Sequence, residues 1–128
     1  MSERLTGIIL AHSKVAEAFV TAVGAIAGAE HGLVPVSNEG CDRAAITARL
    51  DEAIAGRPAV VFSDMPGGSC AFSAAAYTHD HPAVAAVTGV NLAMLLDFVF
   101  HRDLAATEAA ERAVATGRAS VRVVGPAK

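Results

Sequence analysis

Two polar side chains stand where short apolar runs of the sequence end. His12 directly follows the run Leu5–Ala11. Asp64 comes two residues after a second run, Ala59–Phe62. A carboxylate that accepts a hydrogen bond from one imidazole nitrogen fixes the ring tautomer and leaves the other nitrogen free as a nucleophile. The same carboxylate stabilises the cationic ring that forms when this nitrogen attacks. The pair therefore indicates nucleophilic chemistry at His12.

A glycine pair lies shortly after Asp64, at the start of a predicted helix. Gly67 and Gly68 let the backbone approach a ligand closely, and the free amides and dipole of a helix start favour an anion. The hydroxyl of Ser69 can donate a hydrogen bond as well. A Gly–Gly pair alone is an ordinary turn former, and a lone histidine is more often structural than catalytic. In combination, these residues predict reversible phosphoryl transfer to His12, with Gly67, Gly68 and Ser69 binding the phosphoryl group.

Short strands that alternate with helices are predicted to position these residues. The order βαβαβαβααβ indicates an α/β fold with a mostly parallel, doubly wound sheet of five strands. The predicted strands are Leu5–Ala11, Leu33–Val36, Ala59–Phe62, Ala83–Val90 and Val121–Val124. The predicted helices are Ser13 to Gly28, Asp42 to Gly56, Ser69 to Thr78, Asn91 to Val99, and Thr107 to Thr116, which Gly117 is expected to end.

The two reactive side chains are expected to meet at one point of this sheet. For five strands in a small domain, the strand order 2-1-3-4-5 is the natural candidate, and ligands then bind between strands one and three. His12 and Asp64 follow those two strands. Because neighbouring strands lie ~4.8 Å apart, the two side chains should be within reach of each other.

Composition excludes several classes of protein. The 128 residues fit one domain spanning 1–128, and 10 Lys+Arg against 13 Asp+Glu leave no basic excess for nucleic acid. The longest uncharged stretch with large apolar residues, Pro82–Leu96, is too short and too polar to enter a membrane. Two cysteines make no disulfide framework, which favours a reducing, cytoplasmic compartment. Hydrophobic residues make up 53% of the chain, but 29 of them are alanines, so few large apolar side chains are left to build the core.

Neither a metal site nor a bound cofactor is predicted. The trio His79–His81 resembles a set of metal ligands, but neighbouring positions on one loop rarely converge on an ion. Cys70 lies near a helix start, where the pKa of a thiol falls. A redox or nucleophilic role there is the minor alternative, and we expect a small buried residue instead.

Three blocks of sequence carry a resemblance to a known family. The chain resembles the enzyme IIA domain of the mannose family of the bacterial phosphoenolpyruvate-dependent sugar phosphotransferase system. The blocks are Gly7–His12 with Ala16–Glu17 after it, Asp64–Ser69, and Val87–Leu95. None of the three is specific alone, but their combination is.

The resemblance implies a phosphotransferase with a phosphohistidine intermediate. His12 matches the histidine that takes a phosphoryl group from the carrier protein HPr and passes it to an enzyme IIB during sugar uptake. Asp64 matches the carboxylate that hydrogen-bonds this histidine, and Ser69 matches the serine beside the phosphoryl group. Family members form homodimers in which the last strand crosses to the partner subunit. Val121–Val124 matches that strand, so the resemblance implies a sheet of order 2-1-3-4 with an antiparallel, exchanged fifth strand at its edge.

Three residues around the site depart from the family pattern. Ser13 stands where glycine is common, Pro66 where a bulky apolar residue is common, and Cys70 where proline is common. No linker to a IIB domain follows the fifth strand, which predicts a free-standing IIA. These features leave open a regulatory phosphoprotein, whose His12 phosphorylation state controls a partner instead of transport. A relative that acts on dihydroxyacetone is a third, less favoured reading.

Overall fold

Four parallel strands form the sheet of this protein, and five helices cover its two faces. The computed structural model describes residues 4–126. In chain order the elements are β1 (Thr6–Ala11), α1 (Val15–Ala27), β2 (Leu33–Ser37), α2 (Arg43–Ile54), β3 (Ala59–Ser63), α3 (Gly68–His79), β4 (Val84–Thr88), α4 (Leu92–Val99) and α5 (Ala106–Ala119). The predicted α/β class is confirmed.

The strands lie in the order β2-β1-β3-β4, and every pairing is parallel. This confirms the predicted order 2-1-3-4. The point at which the winding of the chain changes direction therefore lies between β1 and β3. Leu10 pairs with Ser63 in the register of these two strands. Their carboxyl ends therefore lie side by side, and the residues that follow each strand leave the sheet at the same place.

Burial of the strands explains the apolar runs in the sequence. Every residue of the central strands β1 and β3 is buried, because helices cover both faces of the sheet. The edge strands β2 and β4 contain exposed positions among the buried ones. Pro35 lies in β2, where its missing N–H costs no pairing to an outer neighbour.

The core forms one layer on each face of the sheet. On one face, α1, α4 and α5 pack against side chains that include Ile9 and Phe62. The rings of Phe62 and Phe98 meet edge to face, with centroids 5.2 Å apart. On the other face, α2 and α3 pack against Ile8, Leu10 and Val61. Within residues 4–126, none of the helices is both long and apolar enough to cross a membrane.

Helix α5 continues past the glycine that was expected to end it. Gly117 lies inside the helix and is buried. A Cβ on this residue would lie only 2.8 Å from Cε and 3.2 Å from Cβ of Met94. The glycine therefore allows α5 to approach α4 closely. The predicted end at Gly117 is wrong because tertiary packing, and not helix termination, sets the residue type here.

The predicted fifth strand does not form in the described single chain. Val121–Val124 pairs with no strand, and its valines are exposed, at 75% for Val121, 100% for Val123 and 89% for Val124. Within residues 4–126 the sheet has four strands, and the predicted exchanged fifth strand is not among them. A strand needs a neighbour to satisfy its backbone groups, and this segment meets none in its own subunit. The outer edge of β4 faces a groove instead.

Candidate functional site

The switch point between β1 and β3 brings His12 and Asp64 into direct contact. Nδ1 of His12 lies 2.8 Å from Oδ2 of Asp64, and the backbone N–H of His12 donates to the same oxygen at 2.9 Å. Because an ionised carboxylate can only accept, the ring nitrogen donates. The carboxyl side chain is 16% exposed and the imidazole is 41% exposed. Asp64 thus orients the imidazole through Nδ1, and the rest of the ring is partly open to solvent.

The surroundings of Asp64 keep its carboxyl group ionised. Burial opposes the charge, but the two hydrogen bonds from His12 and the charge of its ring outweigh burial and lower the pKa of Asp64 below its ordinary value. The second oxygen, Oδ1, is buried and has no hydrogen-bond partner among residues 4–126. Oδ2 of Asp64 therefore accepts both hydrogen bonds from His12, and Oδ1 accepts none from it.

The second ring nitrogen of His12 faces the start of α3. Gly68 is the first residue of this helix and has a φ of +89°, a conformation that favours glycine. A Cβ on Gly68 would lie 4.0 Å from Nε2 of His12. Gly67 is the N-cap and supplies no side-chain hydrogen bond to the first turn, whose N–H groups have no partners within the helix. Ser69 is exposed beside them.

The turn after His12 differs from the helix cap that the sequence predicts. Ser13 was expected to cap α1, but Lys14 is the N-cap and Ser13 has a φ of +52°. Glycine adopts this left-handed conformation at least cost, which is consistent with glycine being common here in the family that the sequence resembles. In this chain Ser37 donates to the Ser13 carbonyl at 2.8 Å and helps to hold the turn.

Cys70 lies against the histidine–carboxylate pair, which the sequence reasoning missed. The residue is fully buried, as expected of a small core residue. Its Sγ, one ring nitrogen of His12 and one carboxylate oxygen of Asp64 all lie within 4.8 Å of one another. Burial first, and then the charge of Asp64, raise the pKa of the Cys70 thiol, opposite to the effect expected of a helix start. A six-residue spacing from Asp64, leading into the first turn of a helix, was the available signal.

The histidines of the trio His79–His81 do not belong to this site. His81 stacks on Tyr77, with ring centroids 3.8 Å apart, and its Nδ1 lies 2.7 Å from the Tyr77 carbonyl. His79 is exposed at the end of α3. Among residues 4–126, the group of three with metal-ligand atoms in reach of one another is His12, Asp64 and Cys70.

Exposed apolar side chains border the site. Met65 follows Asp64 directly, Val15 begins α1, and Phe72 projects from α3 under the guanidinium of Arg43, which lies 4.0 Å from the ring centroid. Large apolar groups beside a reactive side chain are typical of a surface that docks a protein partner.

The fold and this site define a doubly wound α/β domain with an oriented histidine at its switch point. The chain belongs to the EIIA-man family, described as the fructose IIA component of the phosphotransferase system, whose sequence profile it matches over residues 7–115. It is thus a component of a sugar phosphotransferase system. A search of curated protein sequences found no match.

Solved structures of low sequence identity share the fold. The mannose/sorbose-specific IIA subunit from Enterococcus faecalis superimposes with a TM-score of 0.86 at 21% identity, covering 98% of each chain. Component EIIA from Streptococcus agalactiae gives a TM-score of 0.85 at 18% identity, over 93% of this chain and 96% of that one. The IIA protein associated with the fucose utilization operon of Streptococcus pneumoniae gives 0.78 at 17%, over 96% of both.

Proposed function

We propose that His12 carries a phosphoryl group from phospho-HPr to an enzyme IIB for sugar uptake. The observation that carries this proposal is the orientation of one ring. Asp64 holds Nδ1 of His12 at 2.8 Å, and Nε2 faces the helix start at Gly68. The nitrogen free to react thus faces the part of the site best suited to an anion. The family supports the same role.

The contacts of His12 account for both half-reactions. Nε2 attacks the phosphorus of phospho-HPr, and the new N–P bond forms as the bond between phosphorus and HPr breaks, with HPr keeping that electron pair. The ring keeps its Nδ1 proton and becomes cationic, and the ionised Asp64 balances the charge. Transfer to IIB reverses these steps, and the electron pair of the N–P bond returns to Nε2.

The start of α3 and its serine hold the phosphoryl oxygens in this scheme. Free N–H groups of the first turn and the helix dipole favour the negative charge. The hydroxyl of Ser69 adds a donor. Gly67 and Gly68 carry no side chains that would occupy the space of the phosphoryl group. These residues bind the transferred group, and His12 with Asp64 performs the chemistry.

A labelling experiment tests the assignment of His12. Incubation with phosphoenolpyruvate, enzyme I and HPr should add one acid-labile phosphate per chain, which an enzyme IIB then removes. His12→Ala should take up none. His79→Ala is the matched control, because His79 is exposed at the far end of α3 and should leave labelling unchanged. Equal labelling of His12→Ala and the wild type would overturn the assignment.

We also propose that the working form is a homodimer with exchanged C-terminal strands. The outer edge of β4 is open, and a groove of about 650 Å³ lies between β4 and α5. Apolar side chains, among them Val87 and Val114, line this groove. The exposed segment Val121–Val124 from a second copy would pair with β4 as an antiparallel fifth strand and would bury its valines there.

The alternative is a regulatory protein whose His12 phosphorylation state controls a partner in the cytoplasm. The residues that favour it border the site. Ser13 adopts a left-handed conformation in place of the usual glycine, and Pro66 and Cys70 depart from the family pattern. Pull-downs with the wild type and with His12→Asp, which imitates the charge of the phosphorylated state, distinguish the readings. A partner captured by only one form supports regulation, whereas identical partners contradict it.

A further inference from the structure

A side-chain cluster at the site is suited to a ligand that the phosphocarrier reaction does not use. His12 follows β1, Asp64 follows β3 and Cys70 lies in α3. They supply one nitrogen, one oxygen and one sulfur. Each of these atoms lies within 4.8 Å of the other two. Phosphoryl transfer to His12 needs the histidine and the carboxylate but gives Cys70 no task.

We propose that His12, Asp64 and Cys70 bind a thiophilic divalent cation such as Zn²⁺, and that the bound cation blocks phosphorylation of His12. The second half of the proposal rests on the phosphocarrier function above, whereas the first half does not. It would revise the expectation, from the sequence, that the chain has no metal site.

The donor set matches the chemistry of zinc. Thiolate sulfur, imidazole nitrogen and carboxylate oxygen are its common ligands, and bonds of 2.0–2.3 Å in a tetrahedron place neighbouring donors about 3.5 Å apart. The observed limit of 4.8 Å is wider by about 1.3 Å. The ligand side chains must shift to close this difference. The His12 imidazole has freedom to do so, because it is 41% exposed and, among the residues that the structure describes, Asp64 is the side chain that hydrogen-bonds its ring.

An unsatisfied atom supports the same conclusion. Oδ1 of Asp64 is buried and, in the part of the chain that the structure describes, has no hydrogen-bond partner, which is costly for an ionised carboxylate. A cation between Asp64 and Cys70 would give this oxygen its partner. Three protein ligands would leave the fourth position of a tetrahedron to water.

Occupation of this site would stop the reaction for a simple reason. A metal bound to Nε2 of His12 takes the electron pair that attacks phosphorus. A metal bound to Nδ1 replaces the proton that Nδ1 donates to Asp64, which leaves to solvent, and this removes the contact that orients the ring. In both cases Cys70 binds as the thiolate, and the thiol proton leaves to solvent. The cation would thus control the supply of phosphoryl groups.

The test of binding uses the unphosphorylated chain and metal alone. Titration of the wild type with Co²⁺ should produce a thiolate-to-cobalt charge-transfer band with one ion per chain, and Zn²⁺ should displace it. Cys70→Ala should lose the band and bind Zn²⁺ about 10- to 100-fold more weakly. Cys70→Ser, closer in size, should behave in the same way. Cys41→Ser is the matched control and should keep both properties.

The outcomes separate this proposal from the phosphocarrier function. An unchanged Zn²⁺ affinity in folded Cys70→Ala or Cys70→Ser, or no binding by the wild type, overturns the site. Binding that leaves the rate of His12 labelling unchanged overturns the inhibition only. Failure of the metal-free wild type to accept phosphate overturns the phosphocarrier function and leaves the metal titration as it stands. Labelling should be slowed by Zn²⁺ in the wild type and restored by a chelator.

Discussion

One oxygen of Asp64 accepts two hydrogen bonds from His12, from the backbone N–H at 2.9 Å and from ring Nδ1 at 2.8 Å. The two residues are 52 positions apart in the chain. The backbone bond holds the start of the turn after β1, and the ring bond sets the direction of the imidazole from that anchored point. A single carboxylate oxygen therefore controls both where His12 stands and which nitrogen it presents.

Replacement of Asp64 tests this control. Asp64→Asn keeps the size of the side chain but removes the charge that balances a cationic ring. We expect His12 labelling by phospho-HPr to slow by about 10²- to 10⁴-fold, because the carboxylate sets the tautomer and balances the charge of the reacting imidazole. Asp51→Asn, which alters an exposed carboxylate bonded to Tyr77, is the control and should label at the wild-type rate. A wild-type rate for Asp64→Asn would contradict the proposed role.

The two glycines before Ser69 should respond differently to the same substitution. Gly68→Ala forces a side chain into a φ of +89° and places a methyl group 4.0 Å from Nε2 of His12. We expect a loss of about 1–2 kcal/mol in the free energy of unfolding and a strong loss of labelling. Gly67 has a φ of −114° and open space at its Cβ, so Gly67→Ala should fold as well as the wild type and lose less labelling than Gly68→Ala. Chemical denaturation and labelling rates measure both effects, and equal behaviour of the two variants would count against the model of the phosphoryl site.

Tyr77 offers a direct pH measurement. Burial and the hydrogen bond to Asp51, 2.6 Å long, raise its pKa to about 12 from 10.0. Because the chain has one tyrosine and no tryptophan, the ultraviolet titration of tyrosinate reports this residue alone. The midpoint should lie near 12 in the folded protein and near 10 after unfolding.

The same shift has a consequence for stability. A phenol whose pKa is raised by folding contributes its stability fully below pH 10, and the contribution is lost as the pH rises from 10 toward 12. Tyr77→Phe should flatten the fall of stability in this window, whereas a folded-state midpoint near 10 would show that the Asp51 contact is absent in solution.

Two glycines outside the site should shift stability in opposite directions. Gly7 in β1 has no room for a methyl group, since its Cβ would lie 2.6 Å from Leu33 Cδ2 and 2.6 Å from Phe98 Cε2. Gly7→Ala should lower the free energy of unfolding by about 1–3 kcal/mol. Gly24 lies inside α1 with the nearest atom at 3.8 Å, so Gly24→Ala should raise it by about 0.5–1 kcal/mol. Urea unfolding distinguishes the two signs, and destabilisation by Gly24→Ala would refute the packing described for α1.

Deletion of the C-terminal segment tests the exchanged dimer. Removal of residues 121–128 takes away the strand that would pair with β4 of a second copy. We expect sedimentation to show a dimer for the full chain and a monomer after the deletion. A substitution in the groove, Val114→Glu, should act in the same way because it puts a charge where the valines would pack. A full chain that is monomeric at micromolar concentration would refute the exchange.

Much of the fold follows from local patterns in the sequence. The nearly continuous apolar runs of β1 and β3 predict strands buried on both faces, which are central in a parallel sheet. Pro35 places β2 at an edge. Asp42 and Asn91 cap the helices they were expected to cap, each accepting from the backbone three residues on. These features depend on short-range geometry, so the sequence is enough to locate them.

Other features depend on what each segment meets in space. Gly117 reads as a helix end, but α5 runs through it because the glycine lets Met94 approach. Val121–Val124 has the composition of a strand, but β structure requires a neighbouring strand, and within residues 4–126 of its own subunit this segment pairs with none. Ser13 reads as a cap and instead forms a left-handed turn held by Ser37.

The sequence by itself determined the α/β class, the order of the first four strands and the approach of His12 to Asp64, because parallel strands bring their carboxyl ends to one edge. Only the tertiary structure decided which ring nitrogen faces the helix start and that Cys70 stands beside the pair. The reason is that both depend on side-chain directions and distances between separate elements, and the spacing of residues along a chain does not specify these.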